Sequence, residues 1–180
     1  ETHMASTYGN DLRLEEIGDG EQSGSWGTTT NTNLELIAEA FGYGTEVITT
    51  NADTHATTLT NGASAQGRSM FLKYTGALDS DCTVTIGPSS VSKMWYIENA
   101  TTDSGSSGPY SLIINQGTTG GTGSKITIPN GQVKAVFTDG IGDNASVTDA
   151  FTDLSVPSLF IAGVAPPGIG DVLALSIALG

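Results

Sequence analysis

The chain has 180 residues, 24 of them glycine, and a net charge of −13 that comes from 19 acidic against six Lys and Arg residues. So few and so scattered cations argue against nucleic acid and an anionic membrane surface as partners, because both are bound through clusters of Lys and Arg. Cys82 is the only cysteine, so no intrachain disulfide and no zinc site built on several cysteines can form. We expect a structural thiol there. No apolar run approaches the ~20 residues that cross a bilayer, so membrane insertion is not expected.

Composition divides the chain into four segments. Residues 1–4 (ETHM) are expected to be an expression leader, and no signal peptide follows them. Residues 5–44 form a polar N-terminal segment, with a short strand expected at residues 11–15. Residues 45–163 form a β-rich module, and residues 164–180 form an apolar C-terminal strand or tail.

A short helix is predicted near the start of the chain. Leu34, Ile37, Ala38 and Phe41 follow the i, i+3, i+4, i+7 spacing of one helical stripe. Thr30, Asn31 or Thr32 is the expected N-cap, with Glu35 completing a capping box after Thr32. Gly42 and Gly44 are expected to end the helix in the left-handed conformation. A helix of about ten residues is not stable alone, so the stripe must dock on a partner.

From residue 45 the apolar period changes from helical to alternating, which is typical of β-strands. Turn residues separate eight strand candidates: TEVITTN, HATTLTN, RSMFLKYTG, CTVTIGP, KMWYIENAT, YSLIINQG, SKITIP and QVKAVFTDG. Their spacing of roughly ten residues predicts a mainly β fold, an antiparallel β-sandwich or jelly-roll-like module behind the helix. No internal repeat is evident, and a parallel βαβ sheet is not expected because no helical pattern lies between the strands.

The C-terminal part is expected to continue the β pattern. A turn or short helix is predicted in GIGDNASVTDAFTDL, and a strand in PSLFIAG. In the tail DVLALSIALG, the apolar residues Leu175, Ile177 and Leu179 alternate with small ones. This alternation predicts a strand with one face buried against another subunit.

The loop after the last of the eight strands carries two weak motifs. Gly140, Gly142 and Ala145 match a dinucleotide-binding fingerprint, but Asp139 and Asp143 repel a pyrophosphate and no βαβ frame surrounds them. No cofactor is therefore expected. The same loop lacks the ligand order of an EF-hand, and we interpret its acids as ordinary caps of turns. An irregular calcium site stays an alternative, and its oxygen ligands would be Asp139, Asp143, Asn144, Asp149 and Asp153.

Catalytic chemistry has little support. His55 lies in a strand of small polar residues, no strained serine motif accompanies it, and we interpret it as a surface or filler residue. Asn99 and Asn144 match glycosylation acceptors, which we attribute to chance. Aromatic rings offer a binding surface: Trp95, Tyr96 and Tyr110 are candidates for contact with a glycan, the alternative being that they are core aromatics.

Several motifs in order carry a family resemblance. The opening STYGNDLRLEEIGDGEQSGSWGTTTNTNLELIAEAFGYG resembles the start of fibre proteins in tailed-bacteriophage virions, of the tail-fibre or head-fibre type. FLKYTGALDSDCTVTIGPSSVSKMWYIENATT and ITIPNGQVKAVFTDG resemble a β-rich module of the same proteins, so the resemblance covers roughly residues 5–140.

The resemblance implies a non-enzymatic structural protein of the virion, a homotrimer that contacts other virion proteins and displays a β-rich surface, for instance to a host-surface glycan. The residues expected at the assembly interface are Trp26, Asn31, Asn33, Leu34, Ile37, Phe41, Leu175, Ile177 and Leu179. Two alternatives stay open: a monomeric carbohydrate-binding or adhesin-like sandwich, which a glycan array would reveal, and a polysaccharide depolymerase, which needs paired acids in a groove.

Overall fold

The computed structural model describes residues 4–118 and 120–151. These residues contain one α-helix, α1 (Trp26–Ala40), and a 3-10 turn at Gln66–Arg68. The strands, in chain order, are β1 (Tyr43–Val47), β2 (Thr54–Thr58), β3 (Phe71–Thr75), β4 (Ala77–Leu78), β5 (Cys82–Gly87), β6 (Met94–Asn99), β7 (Thr102–Asp103), β8 (Leu112–Asn115), β9 (Ile126–Ile128), β10 (Val133–Thr138) and β11 (Val147–Asp149). The mainly β composition and all eight predicted strands are confirmed.

The chain winds through three stacked turns. In one sheet β1 pairs in parallel with β3, and β3 with β6. In a second sheet β2 pairs in parallel with β5, and β5 with β8. The two-residue strands β4 and β7 form a parallel corner between the sheets. Each turn takes roughly 25 to 30 residues, a length within the range of solenoid repeats, so this part is a short parallel β-helix.

The C-terminal strands reverse this pattern. β9 pairs antiparallel with β8, β10 with β6, and β11 with β10. The sheets are therefore mixed, in the orders β1-β3-β6-β10-β11 and β2-β5-β8-β9. The predicted antiparallel pairing is wrong for the first three turns and right only for these last strands. The turns repeat in strand register without a matching repeat of residues.

The core lies between the two sheets. Strand residues alternate across it; in β5, Cys82, Val84 and Ile86 are buried and the residues between them are half-buried. Trp95 and Tyr74 are the largest buried aromatics, and the indole Nε1 of Trp95 donates to the carbonyl of Gly67 at 2.8 Å. Burial raises the pKa of the Cys82 thiol, which is consistent with the structural role expected for it.

The helix is longer than predicted and begins earlier. It starts at Trp26 after Ser25, which makes no side-chain cap, and the predicted Thr32–Glu35 capping box is not used. It ends at Ala40 near the predicted glycines, but neither Gly42 nor Gly44 has a positive φ. Gly44 serves close packing instead, because a Cβ there would lie 2.6 Å from the carbonyl oxygen of Gln66. Leu36 and Ala40 are its buried residues, rather than the predicted stripe.

Arg68 holds the N-terminal segment and the helix on the first turn of the β-helix. Its side chain is fully buried, and its guanidinium makes four hydrogen bonds. Nη1 donates to Glu39 Oε1 on α1 at 2.8 Å and to a loop carbonyl, Nε donates to the carbonyl of Leu12 at 2.8 Å, and Nη2 donates to that of Thr60. Residues 11–15, predicted as a strand, form turns and irregular chain beside a single bridge between Thr7 and Glu16.

Candidate interaction surface

The outward side of the five-stranded sheet is apolar and exposed. Strand register places Tyr43, Phe71 and Tyr96 in one row across β1, β3 and β6, and sets Met94 opposite Phe137 in the next row. The rings of Tyr43 and Phe71 stack at 5.1 Å with an angle of 14° between their planes. We call this surface the outer aromatic face; its members are Tyr43, Phe71, Met94, Tyr96, Val133 and Phe137.

Exposure and charge set this face apart from the rest of the surface. Tyr43 is 59% exposed, Val133 48% and Phe137 43%. Its only charged strand neighbours pointing outward are Lys73 and Glu98, which pair with each other at 3.5 Å. In a chain of net charge −13, this face therefore carries no unpaired carboxylate on its strands. Contiguous exposed apolar surface of this kind marks an interaction site more often than a free surface.

The helix contributes a second exposed apolar strip. Trp26, Leu34, Ile37 and Phe41 fall on one flank, because helix positions three, four, seven or eight residues apart share a face. Trp26 is 64% exposed, Leu34 59% and Phe41 72%, while Ile37 is half-buried. We call these four residues the helix flank. Phe41 is the C-cap of the helix and lies two residues before Tyr43, the first residue of β1.

The remaining residues predicted for assembly divide into three groups. Asn33 makes two hydrogen bonds within the chain: its amide oxygen accepts from the backbone N–H of Glu15 at 3.0 Å, and its amide nitrogen donates to the carbonyl of Glu15 at 2.9 Å. Its place at the interface stays a prediction. Asn31 is exposed but lies on the helix away from the helix flank. Leu175, Ile177 and Leu179 lie outside the described residues.

The predicted glycan-contact aromatics are not brought together. Trp95 is fully buried in the core, so its assignment to a binding surface is wrong. Tyr96 points the opposite way and belongs to the outer aromatic face, because successive residues of a strand face opposite sides. Tyr110 is half-buried against the core, and its carbonyl accepts a hydrogen bond from Asn99.

A polar network at the first turn was not foreseen. His55 is not a filler residue, since its Nε2 lies 2.7 Å from Glu46 Oε2 and its ring meets Tyr74 edge-on at 5.8 Å. The Thr57 hydroxyl bonds Glu46 and Tyr74 rather than the imidazole, so among the described residues this is not the serine–imidazole arrangement of a triad. Burial raises the pKa of Tyr74, whose phenol stays protonated.

The acids after β10 are used as local structural partners. Asp139 Oδ1 accepts from the backbone N–H groups of Ile141 and Ser146, and Asp149 pairs with Lys134 at 3.0 Å. Within residues 4–118 and 120–151, no group of three or more His, Cys, Asp or Glu side chains is placed to hold a metal ion. Asp153, the last ligand considered, lies outside the described residues.

The two glycosylation matches occupy different environments. Asn99 is fully buried, and its amide donates to the carbonyls of Tyr110 and Ile128 while its oxygen accepts from Thr101. Asn99 thus stabilises a corner of the third turn, and its buried amide is inaccessible to glycosylation. Asn144 accepts from the backbone N–H and hydroxyl of Thr122.

The pKa of Lys93 is lowered beside the core residue Trp95. Lys93 Nζ lies 4.6 Å from the centre of the Trp95 ring, and burial together with the positive charge of Arg68 lowers the pKa of Lys93 to about 8. Lys93 makes no ion pair in the described part of the chain.

Comparison with protein-family models, curated proteins and solved structures finds no match for this chain. In the part that the structure describes, no helix combines the length and apolar character needed to cross a membrane.

Proposed function

We propose that this chain is a non-enzymatic structural component of a bacteriophage virion, a fibre or fibre-attachment protein that assembles as a homotrimer. The observation that supports assembly into a trimer is the exposure of two apolar surfaces, the outer aromatic face and the helix flank. Both are apolar and exposed in a single chain, although the chain has only a modest supply of apolar residues, 37% of its length.

Self-association fits the charge pattern. Copies of a chain with net charge −13 repel one another, so a contact between them is most favourable where carboxylates are absent or paired. The outer aromatic face meets that condition, because Lys73 neutralises Glu98 at its border. Aromatic residues and Met, which form this face, are the residue types enriched at the cores of protein interfaces.

The remainder of the proposal rests on the resemblance to fibre proteins. A β-helix adds turns along one axis, an architecture suited to an elongated virion component. The proposed location is the virion, where neighbouring virion proteins are the partners at the N-terminal segment and a host-surface glycan is the partner of the displayed β surface.

Light scattering coupled to size exclusion tests the assembly. We expect the wild-type chain to elute with three times the 18.4 kDa mass of one chain. Leu34→Asp places a charge in the middle of the helix flank at an exposed position, so it should dissociate the trimer without unfolding the monomer. Thr28→Asp is the matched control, because it adds the same charge on an exposed helix position away from the flank.

Two outcomes oppose the proposal. A strict monomer at high concentration, unchanged by Leu34→Asp, would refute assembly through these surfaces. A stable dimer that Leu34→Asp disrupts would keep the interface but refute the threefold symmetry. If Thr28→Asp dissociated the assembly equally, the effect would come from charge alone and not from the helix flank.

A further inference from the structure

A cleft at the end of β2, in the four-stranded sheet, combines features of a ligand site. It has a volume of about 440 Å³ and is lined by Arg13, Thr58, Leu59, Thr60, Asn61 and Pro88. β2 ends in it at Thr58, and Pro88 follows the end of β5, the parallel neighbour of β2. Its volume lies in the lower part of the range of small-molecule sites, and the cleft is shallow and open to solvent.

Arg13 is held in place by its backbone and by one side-chain bond. Its N–H donates to the carbonyl of Asn10 at 3.0 Å and its carbonyl accepts from Gly62 at 2.8 Å, in a left-handed conformation with φ of 56°. Its Nε donates to Asn61 Oδ1 at 2.9 Å. The two terminal guanidinium nitrogens have no hydrogen-bond partner among the described residues, so both remain available as donors.

No carboxylate neutralises Arg13 within the described residues. The pKa of Glu16 is lowered mainly by hydrogen bonds from Asn10 and Thr7, and the charge of Arg13 makes a smaller contribution. Glu16 is not within ion-pair distance of Arg13, and its carboxylate oxygens accept from Asn10 and Thr7 instead. An unpaired guanidinium in a cleft is unusual in a chain with 19 acidic residues.

The other walls suit a sugar ring. Thr58, Thr60 and Asn61 are exposed, and their hydroxyls and amide nitrogen donate to no other described residue. Pro88, which is half-buried, is the apolar residue of the lining that a sugar ring can contact, because Leu59 is buried in the core. A planar guanidinium with two free donors matches the two oxygens of a carboxylate.

From this geometry we infer that the cleft binds a saccharide that carries a carboxylate, such as a uronic acid residue. Arg13 takes the carboxylate by paired hydrogen bonds, and the hydroxyls of Thr58 and Thr60 with the amide of Asn61 take the sugar hydroxyls. The net charge of −13 disfavours a polyanion, whereas a single carboxylate meets a local cation. The inference names a ligand class for the glycan recognition in the proposed function, but it concerns a surface separate from the proposed interface.

Ligand-observed NMR titration of the full chain tests the inference with four probes: methyl β-glucuronide, methyl β-glucoside, acetate and inorganic phosphate. We expect the glucuronide to bind and the neutral glucoside, which carries a hydroxymethyl group in place of the carboxylate, to bind at least about ten times more weakly. Arg13→Gln should weaken glucuronide binding about ten- to a hundredfold, the range expected for loss of charge-assisted hydrogen bonds. Lys125→Gln is the matched control, since it removes one exposed positive charge elsewhere.

Several results would overturn the inference. These are an absence of glucuronide binding up to about 10 mM, equal binding by Arg13→Gln, and acetate or phosphate binding as tightly as the glucuronide. Arg13→Lys provides a second variant that keeps the charge but lacks the paired donors, and it should still lose several-fold in affinity. Light scattering on the same samples separates this result from assembly, because Arg13→Gln should leave the oligomer mass unchanged.

Discussion

Replacing Arg68 by Met removes the residue that joins the N-terminal segment, α1 and the β2–β3 loop. Met keeps much of the apolar stem but makes none of the four hydrogen bonds of the guanidinium. The carbonyls of Leu12, Thr60 and Ala63 lose this donor, and Glu39 loses its ion-pair partner. We expect the variant to fold less stably and to release the N-terminal segment first.

The magnitude follows from burial. Breaking a buried ion pair by removing one partner costs about 3–5 kcal/mol, and each buried carbonyl left without a donor costs about 1–3 kcal/mol. The hydrogen bonds from Arg68 to the carbonyls of Leu12, Thr60 and Ala63 are only partly buried, so each of these carbonyls falls near the lower end of that range. Glu39 keeps hydrogen bonds from Ser64 and from the backbone N–H of Ala65, and it is partly exposed, so its share is small. We therefore expect a loss of about 4 kcal/mol, which lowers the melting temperature by roughly 10 °C.

Circular dichroism during urea and thermal unfolding, at one fixed protein concentration, measures this loss. Arg13→Met is the matched control, because it removes an arginine that makes one side-chain hydrogen bond to an exposed residue, and we expect it to cost less than about 1 kcal/mol. Limited proteolysis provides a local readout, since Arg68→Met should speed cleavage in residues 5–25. If Arg68→Met unfolded within about 0.5 kcal/mol of the wild type, the reasoning from burial and hydrogen bonding would be refuted.

Two further predictions concern polar groups. Asn99→Asp should lower the free energy of unfolding by about 3 kcal/mol or more, because a buried carboxylate would face two carbonyls that now accept from the amide. Asn144→Asp is the control and should be nearly neutral, since the side chain of Asn144 acts as an acceptor. Equal unfolding midpoints for the two variants would contradict this prediction. Burial acts to raise the pKa of Glu39, but hydrogen bonds from Ser64, Ala65 and Arg68 outweigh it, and the folded pKa is lowered. The stability that this carboxylate contributes is therefore present above the pKa of the unfolded chain and lost as the pH falls through the lower folded value. The advantage of wild type over Glu39→Gln in unfolding free energy should shrink between pH 6 and pH 3, and a constant difference would show that Glu39 is not coupled to folding.

Local patterns were sufficient for most of the secondary structure. Alternating apolar residues located the strands because a strand side-chain period of two is set by the backbone itself. The helix was found by its apolar spacing, but its start was misplaced by several residues. Threonines and a glycine after Trp26 disfavour a helix by propensity, and contacts such as the Thr29 hydroxyl donating to Gln22 favour it only once the chain is folded.

The exposed side of the helix illustrates a different limit. The spacing of Leu34, Ile37 and Phe41 correctly identified an apolar stripe, yet the chain buries Leu36 and Ala40. A helix can have two apolar faces, and the sequence does not say which one meets its own core. Trp95 and Tyr96 show the same limit in a strand, because alternation separates them but does not reveal which of the two faces the core.

Side-chain partners across long sequence separations could not be predicted. Arg68 and Asn99 looked like ordinary polar residues in the sequence, and the cleft around Arg13 joins residues from the N-terminal segment, β2 and the end of β5. The one available signal was a lone arginine at the start of an apolar strand, which is a weak indication of a buried, paired cation.

By itself the sequence determined where strands and a helix form and which residues share a strand face. Only the tertiary structure decided that the strands pair in parallel over three turns. The reason is physical: connections as short as those here are compatible with a hairpin to the next strand or with a step into the other sheet, and the local sequence is similar for both. The stacking of whole turns makes that choice, and with it decides which apolar face is buried and which, like the row from Tyr43 to Tyr96, is left exposed.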